Sequence, residues 1–429
     1  MRLGLRRRRW LLAVLLVVGG LALLPICRTS RSTGVRVTSA GHSEAPLLAG
    51  AGAAPLVVPF PVVAAGYGTA RPEVERVAVP LEARALVLAS GPERVGLLTL
   101  DLLLVDDALV AEVRRSATGL RLSTLWVAAT HTHSSLGAYA SNPVVQVAGT
   151  GRFRPQIRQA VVAAALRALS AAADRLEPAS AFGGTSPRAG RTGSRDEFPD
   201  VDVRLTRLVL RGAAGPVGQV VVFAAHPTLA EHPVRALDPD WPGRLALAEE
   251  VRGQGVTLVL QGSGGNATAA RPREGEEPME AMVRFVDAAL DGVPLRAVGP
   301  GLGHASAEVR LPGPDAARLV PRGLATLVDN LLLCPWAPRT AEVSVLEIGS
   351  LRLLAVPAEA TFAAGLPLER AAGGARLVSL VNGYLGYVEP PERVEADRGE
   401  SPRQLFSSAL LETLRRGAVA ATGAAPTTP

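Results

Sequence analysis

The sequence predicts an α/β fold in which mixed sheets flanked by helices form a single large domain. A polar site is expected at the carboxyl ends of its strands, and a membrane segment is expected at the N-terminus. Three observations support this prediction. Short apolar runs of strand length alternate with longer helical patterns. Apolar residues make up 48% of the 429 residues, which is enough for a sizeable core. Several of the apolar runs end in histidine, glycine or another polar residue.

Residues 1–27 are predicted to be a signal peptide or a membrane anchor. An arginine-rich start precedes an apolar run over residues 10–26, which is long for a signal-peptide core and slightly short for a membrane span. Pro25 and Ile26 fit poorly before Cys27 as a lipoprotein cleavage site, so an uncleaved anchor is favoured. The positive flank stays in the cytoplasm, and we therefore expect the body in the periplasm or at the cell surface, with secretion as the alternative.

Composition excludes some classes of function. The net charge of +6 does not indicate nucleic-acid binding, because five arginines lie within the first nine residues and no basic stripe with interleaved aromatics follows. No protein partner is evident, and the arginine- and alanine-rich composition suggests a bacterial protein. The two cysteines are too few for a thiolate zinc cluster. We expect no structural disulfide, since Cys27 lies in or beside the membrane segment, and we expect Cys334 to be a small buried residue.

The predicted elements follow the apolar patterns in chain order. Residues 28–60, rich in Ser, Thr, Gly, Ala and Pro, are predicted to be a flexible linker, 61–418 the folded body and 419–429 a disordered tail. Apolar runs predict strands at 95–105, 122–129, 203–210, 218–225, 256–261, 341–348, 351–356 and 375–381. Longer patterns predict helices at 108–118, 156–176, 243–252 and 277–290. The first of these helices has Asp106 or Asp107 as its N-cap.

Five of these strands are followed by residues that carry chemistry. The residues that follow are, in order, His131 with His133, His226, the glycine-rich turn 262–266, Glu359, and Asn382 with Tyr384. Open α/β sheets bind ligands at the carboxyl ends of their strands. The sequence therefore predicts that these five chain ends converge on one site.

Neutral imidazole is the commonest protein ligand for zinc, and three of the six histidines lie at these strand ends. On an extended chain His131 and His133 point to opposite faces, so both reach one ion only if the chain turns. Otherwise one of them binds the metal and the other faces the substrate. The alternative is that both are hydrogen-bonded loop histidines, and His226 taken alone fits a structural role.

Two further features fit a catalytic centre. A carboxylate such as Glu359, just past an apolar strand, avoids burial as a bare charge by binding a metal or an arginine, unless it is a surface or N-cap residue. The glycine-rich turn 262–266 allows backbone N–H groups to converge on an anion or a developing oxyanion.

Taken in chain order, these segments resemble the N-terminal catalytic domain of the neutral/alkaline (non-lysosomal) ceramidases. The resemblance covers residues 64–400. The matching segments are Gly-Tyr-Gly at 66–68, Pro-Leu-Glu-Ala-Arg-Ala at 80–85, Thr-His-Thr-His-Ser at 130–134, Ala-His-Pro-Thr at 225–228, Asp-Trp-Pro-Gly at 240–243, Pro-Ala-Glu-Ala-Thr at 357–361 and Asn-Gly-Tyr-Leu-Gly-Tyr at 382–387.

The resemblance implies a zinc-dependent enzyme that cleaves the amide of N-acylsphingosine (ceramide). It makes His131, His226, Glu359 and Tyr387 the zinc ligands, with Tyr387 chosen over Tyr384 by alignment. It also implies that the folded body meets a lipid amide at the membrane surface.

The resemblance further implies that His133 faces the scissile carbonyl and that Arg191 contacts the substrate. Thr268 stands where the family has a catalytic serine, Asn266 replaces an aspartate, and a tyrosine expected near Gly399 is absent. We expect water rather than Thr268 to attack, because the β-branch of threonine stiffens its side chain. Two alternatives remain: a catalytically impaired binding protein of the cell envelope that keeps the fold, and a zinc hydrolase of another small amide or ester.

Overall fold

Strands and helices alternate through the part of the chain that the computed structural model describes, which is residues 20, 34–66, 72–187, 191–269, 274–318 and 320–424. The strands are β1 (Val35–Ser43), β2 (Leu48–Pro55), β3 (Val62–Val63), β4 (Glu73–Val74), β5 (Glu82–Ser90), β6 (Glu93–Leu100), β7 (Thr124–Ala129), β8 (Glu177–Pro178), β9 (Ser180–Pro187), β10 (Thr192–Ser194), β11 (Arg204–Gly212), β12 (Gly215–Phe223), β13 (Val256–Gln261), β14 (Ala267–Ala269), β15 (Arg296–Ala297), β16 (Leu302–Arg310), β17 (Thr340–Ile348), β18 (Leu351–Ala355), β19 (Glu359–Ala360), β20 (Arg376–Val378) and β21 (Tyr387–Val388). The α-helices are α1 (Asp107–Ser116), α2 (Pro143–Val145), α3 (Pro155–Asp174), α4 (Asp240–Val251), α5 (Pro278–Asp291), α6 (Arg322–Val328), α7 (Phe362–Ala371), α8 (Pro391–Glu395) and α9 (Leu410–Ala424). Short 3₁₀ segments lie at Thr118–Leu120, Ala316–Arg318 and Ser401–Arg403, and π-helical turns lie at Gln146–Thr150 and Asp329–Leu333.

Most strands belong to three five-stranded sheets. Sheet 1 has the order β7-β6-β5-β2-β8, sheet 2 the order β13-β12-β11-β9-β15 and sheet 3 the order β1-β16-β17-β18-β20. Each sheet is mostly antiparallel but ends in one parallel pair, which is β6–β7, β12–β13 or β18–β20. The mixed α/β fold predicted from the sequence is confirmed.

The three sheets share one apolar core and carry helices on their outer faces. Trp126 of sheet 1, Leu260 of sheet 2 and Leu353 of sheet 3 belong to the same buried cluster between the sheets. On the outer faces, residues of α1 and α3 pack on sheet 1, residues of α4 and α5 on sheet 2, and residues of α7 and α9 on sheet 3. Each sheet is therefore covered on both faces, which explains why its strands are nearly continuous apolar runs.

The three parallel edges meet at one point. Ala128 of β7 forms a backbone bridge with Val381, just after β20. The amide of Ser379 donates to the carbonyl of Gln261 at the end of β13 across 2.8 Å. The Gln261 side chain then donates to the carbonyl of Thr130 across 3.0 Å. The carboxyl ends of strands from all three sheets are thereby joined, as the sequence predicted.

The prediction of a flexible linker over residues 28–60 is wrong for residues 35–55. Strands β1 and β2 lie within this range and belong to sheets 3 and 1. The glycines that suggested a linker have a packing role instead. A Cβ at Gly50 would lie 2.1 Å from the carbonyl oxygen of Ala172, and one at Gly52 would lie 2.4 Å from that of Ala168. Glycine thus lets α3 pack directly on the backbone of β2.

Two other predictions on chain organisation meet different outcomes. Helix α9 continues to Ala424, so residues 419–424 are helical rather than a disordered tail, because Ala418 and Ala421 are buried in the core. The predicted membrane segment 1–27 lies outside the described residues, apart from Gly20. Within the residues that are described, no helix has the length and apolar character needed to cross a membrane.

The expectation of no disulfide is also wrong, because Cys334 is disulfide-bonded. It directly follows a π-helical turn (Asp329–Leu333) and is partly rather than fully buried. The chain contains one other cysteine, Cys27, which lies outside the described residues. The expectation rested on the position of Cys27 in or beside the predicted membrane segment.

Candidate metal centre

Three side chains that are distant in sequence meet in the interior. Nε2 of His131 lies 3.1 Å from Oε2 of Glu359, and Nε2 of His226 lies 3.2 Å from the same oxygen. All three residues are at most 4% exposed. Each follows a strand of a different sheet, so the junction of the sheets brings them together.

The local backbone aims both histidines at this point. Strand β7 ends at Ala129, and His131 has a φ of 71°, so the chain turns sharply there. Nδ1 of His131 lies 2.7 Å from the carbonyl oxygen of Leu103, and Nδ1 of His226 lies 3.0 Å from that of Ala267. A non-glycine residue in the left-handed region costs backbone energy, and such strain is often kept at functional sites.

The protonation pattern indicates that a cation belongs between these groups. A carbonyl oxygen only accepts, so Nδ1 of both rings carries the proton and a neutral ring presents its Nε2 lone pair. Burial lowers the pKa of His226 below its ordinary value, which favours the neutral ring. The two Nε2 atoms lie 3.1 Å and 3.2 Å from one carboxylate oxygen, and this set of nitrogen and oxygen donors suits a divalent ion.

Glu359 is positioned by strand pairing. In the short parallel sheet of β19 and β21, Glu359 pairs with Tyr387. Burial alone would raise the pKa of Glu359, but His131 and His226 lower it well below its ordinary value. The turn that precedes β14 presses on the same segment, since a Cβ at Gly265 would lie 2.9 Å from the carbonyl oxygen of Glu359.

Two tyrosines bracket the carboxylate. The Tyr387 hydroxyl lies 3.2 Å from Nε2 of His226, on the side of Oε2. The Tyr384 hydroxyl donates to Oε1 of Glu359 across 2.6 Å. Burial and then Glu359 raise the pKa of both phenols well above the ordinary value. The Tyr387 hydroxyl thus lies beside a candidate ligand nitrogen, whereas the Tyr384 hydroxyl is bonded to the Glu359 carboxylate.

His133 lies beside the same centre. Its ring centroid is 4.9 Å from that of His131 and 5.9 Å from that of His226. Ligand atoms of these three histidines all lie within 4.8 Å of one another, so the group as such could hold a metal ion. Because the chain turns at His131, the side chains of His131 and His133 can reach the same point, which an extended chain would prevent. Burial and then the two neighbouring histidines lower the pKa of His133 well below its ordinary value.

Position 66 requires glycine because the backbone of His133 approaches it closely. It has a φ of +119°, and a Cβ there would lie 2.7 Å from the carbonyl oxygen of His133. It belongs to the segment 66–68, whose other two residues lie outside the described part of the chain.

Two solved structures share the fold of this chain. Neutral ceramidase from Pseudomonas aeruginosa superposes with a TM-score of 0.77 at 20% sequence identity, over 90% of this chain and 76% of that one. A ceramidase complexed with C2 gives 0.75 at 19% identity, over 88% and 75% of the two chains. This chain has the neutral ceramidase fold. No protein-family model matches it, and no curated protein sequence does so either.

In this neutral ceramidase fold, Thr268 lies close to a candidate ligand. Its backbone bridges that of His226 in parallel, and it pairs with Gly193 in the two-stranded sheet of β10 and β14. The side chain is partly buried. The geometry therefore brings the sequence-predicted threonine to the edge of the centre.

The predicted anion-binding role of the glycine-rich turn is wrong. Four of its five amides are already used within the protein, because the turn joins the converging sheet edges. The N–H groups of residues 262, 263, 264 and 265 donate, respectively, to the carbonyl of Phe223, the carboxylate of Asp202, the carbonyl of Gly262 and the carbonyl of Ala360.

Sequence reasoning missed Arg195. Arg191, the predicted substrate contact, forms a 2.7 Å ion pair with Glu276, and its role remains a prediction. Arg195 donates to the Tyr387 hydroxyl across 2.5 Å and pairs with the buried Glu400. Burial opposes the charge of Arg195, but Tyr387 and Glu400 raise its pKa above the ordinary value. An arginine in an irregular loop has no sequence pattern that marks it.

An apolar pocket opens on the other side of Tyr384. Its walls include Val145, Leu333, Trp336, Leu405 and Phe406, and Tyr384 itself forms part of the lining. Because the Tyr384 hydroxyl is bonded to Glu359, one side chain links the pocket to the metal centre.

Proposed function

We propose that this protein is a zinc-dependent hydrolase that cleaves an amide bond in a lipid-like substrate, with N-acylsphingosine as the most favoured molecule. One observation carries the proposal: the Nε2 atoms of two buried histidines meet the same oxygen of the buried Glu359. The two structural neighbours named as ceramidases support the choice of reaction.

The donor set fits zinc better than magnesium or calcium. It would consist of His131, His226, Glu359 and Tyr387, two nitrogens and two oxygens, whereas the harder ions prefer oxygen alone. Nδ1 of each histidine is held by a carbonyl, the usual arrangement behind a zinc-bound imidazole. A zinc ion supplies Lewis-acid polarisation of a carbonyl and activation of water.

The chain's own residues supply the remaining steps. His133 faces the same space, and as a neutral ring it donates a hydrogen bond to the oxygen of the scissile carbonyl as negative charge develops there. Tyr384 holds Glu359 in place through its 2.6 Å hydrogen bond. Thr268, whose backbone bridges that of His226, would contribute its hydroxyl as a hydrogen-bond donor, and we infer that water is the nucleophile.

The substrate is inferred from the surroundings of the centre. The apolar pocket beyond Tyr384 accepts a hydrocarbon chain, while the polar centre accepts the amide. The N-terminal apolar run, predicted to anchor the chain with its body outside the cytoplasm, would keep the enzyme where lipid amides reside.

The first experiment is the zinc content of the purified full chain, measured together with release of sphingosine from ceramide. We expect about one zinc per chain in the parent and loss of both zinc and hydrolysis in His131→Ala and Glu359→Ala. His304→Ala is the matched control, because His304 is equally buried and forms a 2.8 Å pair with Glu93 outside the centre.

The outcomes of this experiment test the metal site and the choice of substrate separately. A folded parent that binds no zinc when zinc is supplied would contradict the proposal and favour a binding protein. Zinc binding without ceramide turnover would preserve the metal site and direct the search to other small amides and esters.

A further inference from the structure

Five large apolar side chains lie exposed on one part of the surface, and we call them the Trp336 patch. The patch comprises Val147, Leu324, Leu331, Leu332 and Trp336, each between 51% and 66% exposed. Leu331 and Leu332 lie in the π-helical turn Asp329–Leu333, and Val147 lies in the other π-helical turn, Gln146–Thr150. Scattered apolar residues are common on protein surfaces, but a contiguous set marks an interaction site.

The patch lies next to the apolar pocket. Trp336 belongs to both, since it is half exposed and also lines the pocket. Val147 lies between the lining residues Val145 and Ala148, and Leu332 precedes the lining residue Leu333. The two segments are also tied together, because the Asn142 side chain donates to the carbonyl of Trp336 across 2.8 Å. An apolar path therefore runs from the surface to Tyr384 and the metal centre.

The disulfide of Cys334 bears on which partner occupies the patch. Cys334 stands between Leu332 and Trp336 in the sequence and is disulfide-bonded. The chain has one other cysteine, Cys27, so a bond within the chain must use it. Cys27 directly follows the apolar run 10–26, the predicted membrane segment. A disulfide within the chain would therefore tie the patch to the residue that directly follows the predicted membrane segment.

We propose that the Trp336 patch docks on the surface of a lipid bilayer and turns the pocket mouth toward the lipid. The proposal that this delivers substrate rests on the proposed function, whereas docking itself does not. A second copy of the chain is a poorer occupant. A stable protein interface uses about 20–30 residues a side, far more than this patch supplies. Amphipathic surfaces of this size insert into the headgroup region.

Tryptophan fluorescence tests docking directly. In the full chain carrying Trp10→Phe, the remaining tryptophans are Trp126 and Trp241, which are at most 1% exposed, and Trp336. Reconstituted in phosphatidylcholine vesicles, this protein should lose at least half of its Trp336 emission when the lipid is brominated in the upper acyl chain. Trp336→Phe in the same background should abolish the quenching and so identify its source.

The contribution of the patch is tested by Leu331→Ser/Leu332→Ser. We expect this variant to lose most of the quenching and to lower kcat/KM for ceramide in vesicles by about tenfold, because two half-exposed leucines no longer leave water. Its kcat/KM for a water-soluble short-chain amide should stay within twofold of the parent. Val251→Ser is the matched control, since Val251 is 89% exposed at the end of α4.

The outcomes distinguish docking from catalysis. If the parent shows quenching but does not hydrolyse ceramide, the docking proposal stands and only the proposed function is contradicted. Absence of quenching, with equal vesicle activity of parent and double variant, overturns docking. A concentration-dependent dimer that the double variant abolishes, again without quenching, also overturns it and makes the patch a contact between copies.

Discussion

The guanidinium of Arg195 donates a hydrogen bond across 2.5 Å to the hydroxyl of Tyr387 and lies 5.3 Å from the centre of that ring. On its other side it pairs with both oxygens of Glu400, at 2.8 Å and 3.1 Å. Tyr387 in turn lies 3.2 Å from Nε2 of His226. A buried carboxylate is thereby connected to the metal centre through one arginine and one phenol, and the position of the phenol is fixed by that connection.

Replacing Arg195 should weaken metal binding. Arg195→Met removes the donor that positions the Tyr387 hydroxyl, and we expect zinc affinity to fall roughly 10- to 100-fold, as for other groups that hold a ligand in place. It also takes one of two arginine partners from the buried Glu400, which keeps its ion pair with Arg403, so the free energy of unfolding should fall by about 2 kcal/mol. Competition with a chromophoric chelator and urea unfolding measure the two effects.

A double variant separates these effects. Arg195→Met/Glu400→Gln also removes the buried charge that has lost one partner, so it should recover much of the stability while zinc affinity stays low. If zinc affinity in both variants equals that of the parent, Arg195 has no role in positioning Tyr387.

The two tyrosines should differ in their effect on zinc. Tyr387→Phe removes a proposed ligand and should weaken zinc binding roughly 100-fold, whereas Tyr384→Phe removes a hydrogen bond to Glu359 and should weaken it only about tenfold. Both variants keep the ring and therefore the packing, so each is the control for the other. The reverse order of affinities would identify Tyr384 as the ligand and correct the choice made by alignment.

The candidate donors could be located from the sequence because their chemistry is rare and their position is regular. His131, His226 and Glu359 each follow an apolar strand, and strands deliver their carboxyl ends to one edge. Arg195 could not be located in this way. Its partner Glu400 is 205 residues away, and neither residue follows a strand of the three sheets. Such a contact arises from the tertiary packing of loops, which leaves no periodic signal.

The dependence on tertiary packing also explains why residues 35–55 were wrongly predicted to be a flexible linker. Gly50 and Gly52 suggested a linker because glycine is common in flexible segments. In the structure the two glycines let α3 approach β2, a requirement that depends on a helix about 120 residues later in the chain. Local composition cannot distinguish a glycine needed for flexibility from one needed for close packing.

Gly265 should tolerate no side chain. A Cβ there would lie 2.8 Å from the Thr361 amide nitrogen and 2.9 Å from the Glu359 carbonyl oxygen, both backbone atoms that cannot turn aside. We expect Gly265→Ala to displace Glu359 and to weaken zinc binding at least tenfold, with a lower melting temperature. Gly264→Ala is the control, since the nearest atom to its Cβ would be 3.6 Å away, an ordinary contact. Equal zinc affinity in the two variants would show that the turn does not position Glu359.

Substitutions of His133 and Thr268 should have clearly different effects on activity. His133→Ala removes a proposed donor to the developing oxyanion and should lower kcat about 100- to 1,000-fold. Thr268→Ala should retain most activity if water is the nucleophile. Zinc content is the second measurement, and it should be unchanged in both variants. Loss of zinc in His133→Ala would make His133 a ligand, and loss of activity in Thr268→Ala with zinc retained would make the threonine hydroxyl a participant in the reaction.

Asp240 should make stability depend on pH. Its carboxylate is fully buried, and it accepts the amides of Leu229 and Ala230 at 2.9 Å and 3.0 Å, which fixes the segment after His226. Burial raises the pKa of Asp240 from 3.8 to about 6. A carboxyl whose pKa is raised by folding favours the folded state below the unfolded pKa, and this contribution is lost as the pH rises through the folded pKa.

The comparison with Asp240→Asn isolates this titration. The asparagine side chain makes fewer hydrogen bonds than the carboxylate, and this loss lowers the stability of the variant by the same amount at every pH. Only the change of the stability difference with pH therefore reports on the carboxyl group. The gap between the two pKa values corresponds to about 3 kcal/mol. In urea unfolding with a chelator present, the stability of the parent relative to the variant should therefore decrease by up to about this amount between pH 4 and pH 7. A difference that stays constant over this range would show that Asp240 is ionised in the folded protein throughout, with its burial offset by the amides it accepts.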